Sequence, residues 1–122
     1  MATIAIDFDG TVVTHEYPKI GKDIGAIHVL KKLVENGHKL ILFTMRSNNE
    51  LIDSINWFEG NDIQLYGINT NPNQKSWTSS PKAYAQLYID DAALGVPLCY
   101  DDERPYVNWI EVEKILKEKN II

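Results

Sequence analysis

Cysteine is nearly absent. The one thiol, Cys99, excludes an internal disulfide and any zinc site built from several thiolates. Long apolar runs are missing too, and no stretch approaches the ~20 residues of a membrane span. The N-terminal apolar run is broken by Asp7 and follows no basic segment, so no signal peptide is expected and the chain reads as cytoplasmic. Basic residues are the minority, 12 against 17 acidic ones, leaving a net charge of −5. Nothing here suggests the basic face that binds nucleic acid, or a membrane surface. Phosphorylated ligands remain open, because a bound cation reverses the local field. Repeats, low-complexity tracts and linkers are also lacking. With 122 residues, 44% of them hydrophobic, the chain suits a single domain over 1–122 with one sizeable core.

What is present is an alternation of apolar strands and amphipathic helices. "TIAIDF" (3–8) reads as a short buried strand. Asp23 is a candidate cap for a helix to about 36, with Ile27, Leu30 and Val34 on one face and Gly37 as its stop. "HKLILFTM" (38–45) is a second strand. Ser47 and Glu50 have the spacing of a capping box ahead of a helix through Leu51, Ile55 and Phe58. "IQLYGI" (63–68) and "AQLYID" (85–90) are further strands, and Trp109, Val112 and Leu116 mark a last helix. Residues 69–82 are polar and turn-rich. This order implies right-handed crossovers and a three-layer, Rossmann-like parallel sheet with helices on both faces.

In such sheets ligands gather beyond the carboxyl ends of the strands. Asp7 and Asp9 follow the first strand, Thr44 closes the second, and Asp90 and Asp91 end the strand at 85–90. As turn and cap residues each aspartate would be ordinary, but two acidic pairs after two buried strands ask for more, since a buried, unpaired carboxylate is costly. A calcium loop does not fit: its glycine and glutamate positions hold Val12 and Pro18. Magnesium-dependent phosphoryl chemistry fits better, because magnesium takes a few carboxylates and leaves room for water and substrate oxygens. One carboxylate can then attack phosphorus and a second, aimed elsewhere, can move protons. Gly10 lets backbone amides face an anion. Thr44 and a lysine can meet the phosphoryl oxygens.

These segments resemble the motifs of the haloacid dehalogenase (HAD) superfamily. "IAIDFDGTVV" is similar to its first motif, "LILFTMR" to its second, and "LYIDD" to its fourth. The third, a lone lysine, is placed at Lys82, with Lys75 as the alternative. The resemblance implies Asp7 as nucleophile, Asp9 as general acid and base, and Thr44 and Lys82 as phosphoryl-binding groups. It also implies Mg2+ held by Asp7, the backbone carbonyl of Asp9, and Asp90 or Asp91. In this resemblance Asp9 favours a phosphatase or mutase over the ATPase branch. A mutase would carry a larger cap, so the implied activity is a phosphatase, a hydrolase of phosphate monoesters working through an aspartyl-phosphate. The short stretch "VVTHEYPKIGKDIGA" resembles the capless branch, whose open sites are roofed by a large substrate or by a neighbouring subunit of a homo-oligomer.

Other side chains have plainer readings. His28 and His38 read as surface histidines, whereas His15 lies near the site and can touch a substrate. Arg46 reads as an anion contact or a partner for surface acids. Trp57, Trp77 and Trp109 read as core or interface. Two rival functions remain: a catalytically idle HAD-like binding or regulatory domain, and a receiver-type phosphoacceptor domain. The second places its phosphoacceptor after strand three, where this chain has "YGINTN" and no aspartate.

Overall fold

The computed structural model describes all residues, Met1–Ile122. Its elements run β1 (Thr3–Ile6), α1 (Ala26–Glu35), β2 (Lys39–Leu42), α2 (Asn48–Gly60), β3 (Gly67–Ile68), a 3-10 turn (Gln74–Ser76), β4 (Leu87–Ile89), β5 (Leu98–Cys99), β6 (Tyr106–Val107) and α3 (Trp109–Glu118). The first four strands form a parallel sheet in the order β3-β2-β1-β4, and β5 with β6 forms a separate antiparallel ribbon. The expected α/β class, with a Rossmann-like parallel sheet, is what the chain adopts.

Strand alternation decides what each face buries. Ile4 and Ile6 stand level with Leu40 and Leu42 on one side and with Leu87 and Ile89 on the other. On that face they join one apolar cluster with Val29, Leu30 and Leu33 of α1, Phe58 of α2, and Val112 and Leu116 of α3. All three helices therefore serve a single face. The opposite face presents Ala5 and Ile41, buried but outside that cluster. Tyr88 stands level with Ala5, and its hydroxyl donates to the carbonyl of Ala83. The segment between β3 and β4, read as polar and turn-rich, thus lies over this face with one helical turn, whereas helices were expected on both faces of the sheet. Pro72 and Pro81, with a run of Asn, Ser and Thr, cannot sustain a helix there. The segment is held by Gln74, whose amide donates to the carbonyls of Ser80 and Lys82 and accepts from the N–H of Tyr84, and by Asn71, whose amide donates to Tyr84 O and accepts from Asn73 N–H.

The helix ends follow one local rule. Gly37, Asp62 and Asn120 each take positive φ, and the next residue's N–H bonds back to Leu33, Phe58 and Leu116 respectively. That is the Schellman closure, and Gly37 is the stop anticipated from sequence. At the helix starts the outcome is mixed. Asp23 accepts from the N–H of Gly25, one step before α1, so it shapes the turn and does not cap the helix. Ser47 occupies the N-cap of α2, but its side chain makes no capping bond, because the chain enters at Asn48 with φ 52°. The capping box is therefore not formed. β3 is shorter than expected, with only Gly67–Ile68 in the ladder, and Ile63 goes into the core instead.

Candidate active site

The backbone ladder runs one residue past β1: the N–H of Asp7 donates to Ile89 O at 3.0 Å. This fixes Asp7 beside the start of the acidic pair that follows β4. Beyond it the chain folds back, with Phe8 O accepting from Thr11 N and Val12 N, and Gly10 turning at φ 78°. Phe8 is buried against Trp57 and Phe58 and anchors the turn in the core. From the other end, Trp109 at the start of α3 donates its indole N–H to Thr11 O at 2.7 Å, and Val107 N–H donates to Gly10 O.

Asp7, Asp90 and Asp91 converge. One carboxylate oxygen of each lies within 4.8 Å of the others. Thr11, fully buried, ties them together: its hydroxyl contacts Asp7 Oδ2 at 2.9 Å and Asp91 Oδ1 at 3.3 Å, and accepts from Asp91 N–H at 2.9 Å. His15 Nε2 stands 2.7 Å from Asp91 Oδ2. A side chain at Gly10 would collide with this imidazole, its Cβ falling against Nε2. Gly10 is thus required for its positive φ and for the room it leaves His15.

The charges are poorly compensated. Burial, then the carboxyls of Asp91 and Asp90, push Asp7 up to about 8 against the pull of Thr11. Asp90 is raised, chiefly by burial. Burial also works against the charge on Asp91, but its hydrogen bonds with Asp7 and His15 outweigh this and hold it below the usual range. Three half-buried carboxyls in contact, with one hydroxyl and one imidazole to offset them, form an all-oxygen donor set for a hard divalent cation. The residues fit such an ion.

Asp9 stands apart from this group. Its carboxylate receives Arg46 Nε at 2.8 Å and Arg46 Nη2 at 2.7 Å, a two-pronged ion pair. The remaining guanidinium donors reach the carbonyls of Pro18, Lys19 and Glu50. All five N–H groups are used, and the rings of Phe8 and Tyr17 lie 4.9 and 5.2 Å from the guanidinium carbon. Arg46 is therefore a buried clamp, and neither of its two sequence readings, anion contact or surface pair, describes it.

Thr44 lies two residues past Leu42, as Phe8 lies two past Ile6, and so sits on the same rim. Its N–H donates to Asn69 and its hydroxyl accepts from Arg46 N–H, leaving the hydroxyl hydrogen free to donate. Lys82 makes no ion pair; its ammonium lies 5.5 Å from the ring centre of Tyr88. Lys75 lies on the 3-10 turn among Thr70, Thr78 and Ser79. No bond joins either lysine to the three aspartates. Residues 7–25 hold no helix or regular strand, so no cap domain is inserted between β1 and α1. Thr11 and the clamp by Arg46 were the functional features that sequence reasoning missed. The first was visible in "DFDGT"; the second depends on a partner 37 positions away.

The fold and the acidic rim define a class: a small α/β protein with a carboxylate site at the ends of two adjacent parallel strands. Neither a protein-family model nor a curated protein matches the chain. Among solved structures it is similar to a conserved protein coded by a locus of Bacteroides thetaiotaomicron, with 36% identity over 97% of this chain and 91% of that one, at a TM-score of 0.78. The chain belongs to the same family as that protein. No helix is long and apolar enough to cross a membrane.

Proposed function

We propose that this protein is a magnesium-dependent phosphatase of the HAD type, hydrolysing a phosphate monoester through an aspartyl-phosphate on Asp7. The observation that carries the reading is the meeting of Asp7, Asp90 and Asp91 at the ends of two neighbouring strands. Those three would hold Mg2+, with the backbone carbonyl of Asp9 as the further ligand that the HAD resemblance implies. When bound, the cation would offset the repulsion between the carboxylates and the incoming phosphoryl group. Asp7 would attack phosphorus, displacing the alcohol, and water would then cleave the acyl phosphate to release phosphate and restore the carboxylate. Thr11 orients the Asp7 carboxylate for this attack, and Thr44 has a hydroxyl hydrogen to offer a phosphoryl oxygen. Lys82 is the candidate cation for the same oxygens, reaching in from Tyr88. Asp9 is the candidate proton donor to the leaving alcohol and base toward water.

The test is a pair of variants. With magnesium and an aryl phosphate, whose leaving group needs little protonation, Asp9→Asn should trap a protein heavier by one phosphoryl group. Asp7→Asn should show none and no turnover. A phosphorylated Asp7→Asn protein would overturn the assignment. With no cap inserted between β1 and α1, the roof we propose is a second subunit, so light scattering should show a homo-oligomer; a strict monomer would leave a large substrate in that role. A second reading, a catalytically idle domain, draws support from the Arg46–Asp9 clamp, which engages both oxygens of the proposed acid. Absence of phosphate release across a panel of monoesters would favour it.

A further inference from the structure

From Ile63 to Ile89 the chain has no acidic residue and two lysines, in a protein of net charge −5. This stretch also carries the largest group of neighbouring exposed aromatics. Trp77 is 62% exposed, Tyr84 45% and Tyr88 39%. Trp77 was expected in the core or an interface, yet it packs edge-to-face on Tyr84 with ring centres 5.4 Å apart, most of its surface in solvent. With Lys82, Thr78 and Ser80, the three rings line a cleft of about 350 Å³, within the size range of small-molecule sites.

The polar side chains of this cleft that keep a hydrogen to offer are donors, while the Gln74 amide and the Tyr88 hydroxyl beside them are spent on backbone groups. The oxygens of Thr78 and Ser80 accept from the N–H groups of Ser80 and Lys82, so each hydroxyl keeps its hydrogen to donate. The Lys82 ammonium has no carboxylate partner and sits over the Tyr88 ring. Aromatic faces ringed by donors and a free cation suit a flat, acceptor-rich ring bearing an anionic group. The cleft also adjoins the rim. Tyr88 lies two residues before Asp90, about 7 Å along a strand and on the same face, and packs on Phe43, the neighbour of Thr44, at 6.2 Å.

We propose that this cleft binds the ring of a heteroaromatic phosphate monoester, a nucleoside monophosphate in chemical class. Trp77 is its stacking platform, and Lys82 faces the phosphate. This rests on the phosphatase reading only for what happens to the phosphate; ring binding stands without it. Calorimetric titration in chelator, where no turnover occurs, separates the two. Adenosine monophosphate should bind the wild-type protein, and ribose 5-phosphate and inorganic phosphate should bind far more weakly. Trp77→Ala should weaken adenosine monophosphate binding roughly 5- to 150-fold, the worth of one base–aromatic stack. Trp77→Phe should restore most of it. Since Trp77 is mostly in solvent, both variants should keep the wild-type circular dichroism. Equal binding by ribose 5-phosphate, no binding of adenosine monophosphate, or unchanged affinity in Trp77→Ala would each overturn the proposal. Binding without phosphate release on adding magnesium would leave the ring site standing and remove the phosphatase reading.

Discussion

Removing the Arg46 guanidinium should cost more stability than any other single polar change in this chain. The Arg46 side chain is 1% exposed and the Asp9 side chain 17%. Arg46→Ala leaves Asp9 without its counter-charge and strips donors from the carbonyls of Pro18, Lys19 and Glu50. Breaking one side of a buried pair costs about 3–5 kcal/mol. Water can reach Asp9 in part, which favours the lower end, whereas the carbonyls left without donors add about 1 kcal/mol apiece where they stay dry. A loss of about 3–5 kcal/mol is a large share of the ~5–15 kcal/mol a domain holds. At roughly 4 °C per kcal/mol, Tm should fall by about 12–20 °C. Arg46→Lys should recover less than half, because an ammonium cannot span a carboxylate and three carbonyls at once. In urea unfolding, a double-mutant cycle with Asp9→Asn should give a coupling energy of about 2 kcal/mol. A loss below about 1 kcal/mol for Arg46→Ala, or strict additivity in the cycle, would refute the clamp.

Three further outcomes are expected. Magnesium at a hundred times its Kd should stabilise the protein by about 2.7 kcal/mol, read as a rise in Tm absent from Asp7→Asn; an equal rise in the variant would remove Asp7 from the metal site. Without metal, Asp7 titrates at about 8 when folded against 3.8 unfolded. The folded state thus holds the extra proton between these values, and the stability it confers is lost as pH rises from about 4 to 8. Melts in chelator should show wild type losing ground to Asp7→Asn across that window; a constant gap would contradict the crowding. Gly10→Ala should destabilise by about 1–3 kcal/mol through its positive φ and the clash with His15, and His15→Ala should rescue only the clash; full rescue would mean that backbone strain is negligible.

Much of this arrangement was legible in the residues. β1, β2 and β4 are runs of β-branched and large apolar residues bounded by polar ones, so their existence followed from composition, and the meeting of Asp7 with Asp90 and Asp91 followed from parallel order. Gly37 announced its helix stop because only a left-handed residue closes that turn easily. The ribbon of β5 and β6 was not legible: strands of two residues carry no periodicity, and the intervening "YDDERP" reads simply as a loop. The segment over the second face was missed for a related reason. Its structure comes from two buried side-chain amides, Asn71 and Gln74, bonding backbone groups up to thirteen positions away, and no local pattern encodes that. Arg46 belongs with these. Its burial depends on Asp9, on the carbonyls of a loop and on two rings, all brought together by tertiary structure.

The same contacts explain why two aspartates two positions apart have different surroundings. Asp7 is the last residue held by the β1–β4 ladder, so its carboxyl meets the acids that follow β4. Asp9 lies past the point where Phe8 turns the chain into the core, and its charge is already balanced by Arg46. A cation is called for among Asp7, Asp90 and Asp91 and not at the Asp9 carboxylate. Proton transfer by Asp9 then carries a structural condition. The guanidinium that holds its two oxygens also holds the carbonyls of Pro18 and Lys19, so freeing Asp9 loosens residues 16–19. On this hypothesis release of the acid and opening of that loop are one event. If the proposed phosphatase reading holds, the amide of Lys19, bonded to Glu16 O, should exchange faster during turnover than in the resting protein. Unchanged exchange alongside normal turnover would mean that the clamp stays closed and that another group moves the proton.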